Sequence, residues 1–282
     1  YDYKEVQKYN PKYKKYIEKE KRRMGEDSDE FRMAYKIEWI LERGMFLTSV
    51  MKEEMFDKSM KHQHQSDKYC VAGVDIGKKN DSTVVTVLEV DWDNIVEDKM
   101  TNEIKPFKEL LHWLELKGDD YESQYHEIIE FLENYNIKCI YVDSTGVGTP
   151  IADRLEWGFG SHADVVPYDF TRQSKSEMWK NLQTELRRGR LRIPYNAKTR
   201  RLRPFKRFKQ QMEDLIKDYK GKYLVCHHPE GDKYAHDDYC DSLGLACMAG
   251  HHDAMPEIET EDNLFFDDRG YRVQNQKPIT KR

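Results

Sequence analysis

The chain has 282 residues, 35% of them charged, and a mean hydropathy of −0.93, so it can bury a full core as one large domain or two smaller ones. No apolar stretch reaches the length of a membrane span and the N-terminus lacks a signal-peptide pattern, so a soluble, cytoplasmic protein without membrane contact is expected. The net charge of −5 argues against a nucleic-acid partner only on average, because residues 171–209 carry fourteen Lys or Arg against Glu177 and Glu185, a local excess of +12.

Residues 1–60 are rich in Lys, Glu, Tyr and Met, and Phe31, Tyr35, Trp39 and Phe46 recur at helical spacing, which predicts a helical appendage. The start at Tyr1 reads as that of a piece of something longer. Residues 61–67 are polar, lack periodicity and form a linker. From Tyr69 the pattern changes. Residues 69–76 and 83–90 read as strands around a Lys78-Lys79-Asn80-Asp81 turn, with 107–116 a third strand. Next come an amphipathic helix over 120–135, a buried strand over 138–142, a short helix over 150–157 and a short strand over 165–167. Helices over 175–188 and 202–219, an edge or hairpin strand over 223–226 and a closing helix over 237–249 complete the set. A hairpin followed by alternating helices and strands makes an α/β domain with a mixed sheet flanked by helices. Beyond Met255 an acidic and then basic tail without periodicity is expected to be disordered.

Cys70, Cys139, Cys226, Cys240 and Cys247 form no Cys-x-x-Cys pair and mostly lie in apolar runs, so they are expected to be reduced core residues. His62/His64 and His227/His228 have no Cys or acidic partner at ligand spacing and read as surface residues.

Three acidic motifs carry the chemistry. Val-Ala-Gly-Val-Asp-Ile-Gly and Cys-Ile-Tyr-Val-Asp-Ser place Asp75 and Asp143 at the C-terminal ends of apolar strands, where ligands gather in open α/β sheets. His-Asp-Asp-Tyr-Cys-Asp opens the last helix, and the three- and four-residue spacings put Asp241 on one face with Asp238 or Asp237. The bland readings are turn chemistry for Asp75, an N-cap or Asx turn for Asp143 and a helix cap for the last group. A cap needs one Asp, however, and converging carboxylates repel unless a divalent cation neutralises them. His236, beside the pair, is read as a partner of the ligands rather than a ligand. In the basic segment, Phe205 and Phe208 are expected to face the core, and the bland reading of the charges is a solvated helical face.

Four stretches in this order resemble the C-terminal nuclease part of the bacteriophage terminase large subunit. They are Gly-Val-Asp-Ile-Gly-Lys-Lys-Asn-Asp-Ser-Thr at 73–83, Tyr-Val-Asp-Ser-Thr-Gly-Val-Gly at 141–148, Ser-Lys-Ser-Glu-Met-Trp through Gly-Arg-Leu-Arg-Ile-Pro at 174–194, and His-Asp-Asp-Tyr-Cys-Asp-Ser-Leu-Gly-Leu-Ala at 236–246. Glu30 to Trp39 is similar to the stretch that joins the family's ATPase to its nuclease, and no Gly-x-x-x-x-Gly-Lys-Ser/Thr occurs here, so an ATPase domain is not expected in this chain. The resemblance implies a helical linker segment over 1–66, an RNase H-like, Holliday-junction-resolvase-like nuclease domain over 67–254 and the tail over 255–282. It implies a metal-dependent endonuclease that cuts concatemeric viral DNA during genome packaging in the cytoplasm of the infected bacterium. Two Mg²⁺ or Mn²⁺ ions would serve the two ends of the cleaved bond.

In that reading Asp75 bridges the ions, Asp143 serves the leaving-group side, and Asp238 with Asp241 or Asp237 the water side. Lys175, Arg187, Arg188, Arg190, Arg192, Arg200, Arg201 and Arg203 grip double-stranded DNA. Portal and small terminase subunit are partners by family analogy, with oligomers only in the full motor. Two alternatives remain, an actin-like or sugar-kinase-like ATPase, whose phosphate hairpin also begins Asp-x-Gly, and a non-catalytic DNA-binding module.

Overall fold

The computed structural model describes residues 3–26, 31–36, 44–77, 81–98, 103–118, 120–146, 148–228 and 237–251, and the pairs 265–266 and 272–273. At the N-terminus, Asn10 accepts the backbone N–H groups of Lys12 and Tyr13 and so separates helix α1 (Tyr3–Tyr9) from α2 (Pro11–Met24), whose first residue is proline. Tyr3, Ile17 and Phe31 close a small core of their own with Tyr13 and Tyr35. Trp39 lies outside the described residues. Phe46, grouped with these by its spacing, behaves differently. It meets Trp179 edge-on at 5.3 Å, and with Leu47, Met51 and Met55 belongs to the main core. The segment carrying α3 (Ser49–Met55) and β1 (Phe56–Asp57) is therefore built into the sheet rather than the appendage.

The main sheet has seven strands, adding β2 (Ser66–Asp75), β3 (Thr83–Asp98), β4 (Glu103–Leu116), β5 (Tyr135–Asp143), β6 (Asp164–Tyr168) and β7 (Leu191–Pro194) to β1, in the order β1-β7-β4-β3-β2-β5-β6. It is mixed: β2, β3 and β4 form an antiparallel meander, while β5, β6, β7 and β1 add in parallel. β2 is central, and Cys70 to Asp75 are all buried, which is why its sequence is continuously apolar rather than alternating. One face is covered by α4 (Tyr121–Leu132) and α5 (Gly148–Phe159), through Ile128, Leu132, Ile151 and Leu155. The other carries α6 (Arg172–Arg187), α7 (Arg203–Asp214) and α8 (Asp238–Ala249), with Trp179, Phe205, Phe208 and Tyr239 filling the interior. All five cysteines are free and buried, and Phe205 and Phe208 face the core, as their apolar surroundings imply.

The helix expected over 202–219 stops at Asp214, and the chain turns into β8 (Ile216–Lys220), paired antiparallel with β9 (Tyr223–His227). Gly221, at φ 66°, takes the first place of the two-residue turn between them, a conformation that a side chain resists. That hairpin, rather than helical periodicity, claims 216–220. β7 went unread because four residues are too few for a period. Of the tail, only a short ladder between Phe265–Phe266 and Arg272–Val273 is described, so the expected disorder falls otherwise outside the described residues.

α8 lies unusually close to the sheet. A Cβ built on Gly73 would overlap the Ser242 carbonyl and the Ala246 backbone nitrogen, so only glycine lets the helix seat on β2. Thr86 and Ser242 hydroxyls, 2.7 Å apart, pin the same contact from β3.

Candidate metal centre

Register brings the motifs together. β2 and β5 are parallel neighbours with Val74 opposite Val142, so Asp75 and Asp143 end adjacent strands side by side. The seating of α8 on β2 then delivers Asp238 and Asp241 to the same place. All four are buried, at 8%, 6%, 8% and 3% exposure. Asp237 occupies the N-cap of α8, yet its side chain makes no cap hydrogen bond. The bland reading of Asp143 holds in part, since its Oδ1 accepts the Thr145 N–H at 2.9 Å. The turn after Asp75 is held by Thr83, whose hydroxyl accepts the Gly77 N–H and donates to Gln124. His236 lies outside the described residues.

The electrostatics are those of a site short of positive charge. Burial, then the neighbouring Asp241, Asp238 and Asp143, push the Asp75 carboxyl well above the usual carboxylate range. Burial and Asp237 push Asp241 up to about 8 despite Lys175. The Lys175 ammonium sits 2.7 Å from Asp241 Oδ2 and 3.6 Å from Asp237 Oδ2, and it lies over the Phe170 ring. Burial works to lower its pKa, but Asp241, Asp237 and Asp75 prevail and raise it. Lys175, expected on the DNA, thus lies within the acidic cluster; nothing in the basic segment around it signals that pairing. One carboxylate oxygen, Asp241 Oδ1, is fully buried with no hydrogen-bond partner. An orphaned carboxyl oxygen amid three further carboxylates, in a site short of positive charge, fits an oxygen-ligated divalent cation.

The basic residues separate into groups. Arg190, expected on the DNA, is instead at 2% exposure and spent on Glu185 inside the protein, so it cannot grip a phosphate. Arg187 and Arg188 end α6, about 20 Å along the helix from Lys175 at 1.5 Å per residue. Arg192 lies over Phe107 and 3.9 Å from Glu109. Arg203 and Arg207 instead pair with Glu115, which also accepts the Tyr239 hydroxyl at 3.2 Å. Glu115 lies opposite Val84, and Val84 opposite Asp75, so these arginines flank the acidic centre two strands away, roughly 10 Å. Arg200 and Arg201, both exposed, immediately precede them.

A terminase RNaseH-like domain model matches residues 72–249. The fold is similar to the large terminase nuclease from thermophilic phage G20c with bound magnesium, at 19% identity over 73% of this chain and 97% of that one, TM-score 0.51. The cobalt-bound form of that nuclease matches at 18% identity over the same shares, TM-score 0.50. No curated protein matches the sequence. The matched span begins on the strand of Asp75 and ends with the helix of Asp238 and Asp241, so the elements that assemble this centre are those that place the chain in the terminase RNase H-like domain family.

Proposed function

We propose that this chain is the nuclease domain of a phage large terminase, a divalent-cation-dependent endonuclease that cuts concatemeric viral DNA during packaging. The observation that carries the reading is the meeting of Asp75, Asp143, Asp238 and Asp241 at one end of the sheet around an orphaned carboxylate oxygen. Asp75, central in the group, would be the ligand shared by both ions, with Asp143 on the leaving-group side and Asp238 with Asp241 or Asp237 on the water side. Two Mg²⁺ or Mn²⁺ ions, when bound there, would supply an activated water and a stabilised leaving oxygen for phosphodiester hydrolysis. The chain itself fixes the carboxylates on two strand ends and a helix seated by Gly73, while Lys175 favours the ionised form of Asp241 and holds it in place. Double-stranded DNA is the substrate, the host cytoplasm the setting, and portal and small subunit the partners of the assembled motor. Purified protein should nick supercoiled plasmid with Mg²⁺ or Mn²⁺, stop on addition of EDTA, and turn over no ATP. Nicking that survives chelation, or ATP turnover lost in Asp75→Asn, overturns the reading.

DNA is held by the basic residues beside the centre. Arg200, Arg201 and Arg203 to Ala together should weaken binding to any duplex and make log affinity against log salt shallower by up to about 2.7, at roughly 0.9 for each phosphate no longer neutralised. Arg187→Ala with Arg188→Ala should change the slope less. The assay uses Ca²⁺ or the Asp75→Asn protein to keep the DNA intact, and an unaltered slope in the first variant means that the DNA path lies elsewhere.

A further inference from the structure

β7 pairs with β4 only at Lys108–Leu191 and Glu109–Arg192, and past Glu109 β4 has no further pairing with β7. Residues 58–65 run from β1 towards β2 past this edge, anchored where Asn196 Nδ2 donates to the Met60 carbonyl at 2.9 Å. His62 and His64 from that segment meet His112 of β4, all three ring pairs at 4.5 Å between centroids, with candidate ligand nitrogens within 4.8 Å of one another. His62 is wedged against Phe205 at 5.2 Å, and its Nε2 is sealed from solvent without a hydrogen-bond partner. His112 rests against Phe131 and has Nδ1 3.2 Å from the Tyr135 hydroxyl, which fixes its ring and leaves Nε2 as the donor atom for an ion. Burial, with the neighbouring imidazoles second, lowers His62 to about 4 and His112 to about 3, so their rings are neutral.

We infer that His62, His64 and His112 form a second metal site that takes one imidazole-preferring transition cation of the zinc class. Neutral imidazoles suit Zn²⁺ and its neighbours as carboxylates suit Mg²⁺ and Mn²⁺, and three histidines leave a fourth tetrahedral position for water. Zn–N bonds of about 2.0–2.1 Å put tetrahedral nitrogens roughly 3.4 Å apart, so closure asks each donor to move inward by roughly 0.8 Å at most. The site is separate from the carboxylate centre: His112 lies opposite Val87, and Val87 opposite Ala72, three residues or roughly 10 Å along β2 from Asp75. Two ligands from the connecting segment and one from the sheet make the ion a clamp that holds residues 58–65 on β4 where β7 departs. Local spacing around His62 and His64 cannot reveal the site, because His112 is about fifty positions away.

The test is Zn²⁺ binding by the chelator-stripped 282-residue chain, followed by calorimetry, metal content and the visible absorption of Co²⁺ as a tetrahedral probe. Wild type and Asp75→Asn are each compared with and without His64→Asn, chosen because His64 is exposed. The site predicts that His64→Asn leaves the thermal midpoint in EDTA unchanged. It predicts loss of one Zn²⁺ equivalent in both backgrounds, of the Zn²⁺-dependent rise in midpoint and of the tetrahedral Co²⁺ spectrum. Affinity at this site should fall by more than about tenfold, the least that removing even an outer partner of a ligand costs. Excess Mg²⁺ should not displace the ion. Equal Zn²⁺ binding with and without His64, or no Zn²⁺ binding by the Asp75→Asn protein, overturns the inference; His112→Asn, if folded, should match His64→Asn.

Discussion

Asp75→Asn, and separately Asp143→Asn, should reduce plasmid cleavage in Mg²⁺ or Mn²⁺ by more than about 100-fold, because outer partners of metal ligands alone are worth about 10–100-fold. Each change removes one negative ligand at constant size, so the fold should survive. In metal-free buffer the thermal midpoint of Asp75→Asn should match or exceed the wild-type value. The reason is the crowding at the centre: Asp75 is buried against three other carboxylates with Lys175 as their cation, and its ionised form is disfavoured there. Divalent ions should reverse the order, raising the wild-type midpoint more than that of the variant. Nicking at the wild-type rate by Asp75→Asn would mean that the carboxylates serve no cation.

The largest effect on stability is expected at the opposite end of the sheet. Glu185 of α6 and Lys108 of β4 are fully buried and paired at 2.8 Å, Arg190 adds a second contact at 2.6 Å, and His251 lies 3.1 Å from the same carboxylate. Burial alone raises a carboxyl pKa, but Lys108, His251 and Arg190 overcome it and hold Glu185 far below the usual range. Glu185→Gln keeps the shape and strands two cations in the interior, which should cost about 3–5 kcal/mol. At roughly 2–4 °C per kcal/mol for a domain of this size, the midpoint should fall by roughly 6–20 °C. Adding Lys108→Met should recover part of the loss, since one stranded charge is gone. The pH dependence follows from the lowered pKa: the pairing stabilises the protein above the ordinary carboxylate value of 4.5 and is lost as pH falls through the depressed one. The gap between wild type and variant should therefore narrow in acid. A midpoint shift of a degree or less at neutral pH would contradict this account.

How much of this is legible in the sequence differs by residue. Asp75 and Asp143 stand out because a buried strand that ends in a carboxylate leaves a local signature, an apolar run closed by one acid. Asp238 and Asp241 are legible as a group because helical spacing is local as well. Lys175 and Arg190 are not, since each neutralises a carboxylate 66 or 5 positions away inside a segment whose charges read as one solvated face. Of the β8–β9 hairpin, β9 is legible as a strand, but β8 is masked because its pairing competes with a helical period that runs on past Asp214. Specific pairing, rather than composition, decides in each of these cases, across 66 positions for Lys175 and within a few residues for Arg190 and the hairpin.

The glycine at 73 also sets a length standard. It lies two residues before Asp75, and the α8 backbone that rests on it carries Asp238 and Asp241 one turn away, so the gap between strand and helix is also the gap between opposing carboxylates. A single methyl group there would keep all four carboxylates in the sequence and yet spread them, in a proposed metal centre that needs its groups held to within about 0.5 Å. In the proposed centre, the spacing of the carboxylates is thus written in a residue that has no side chain to touch them.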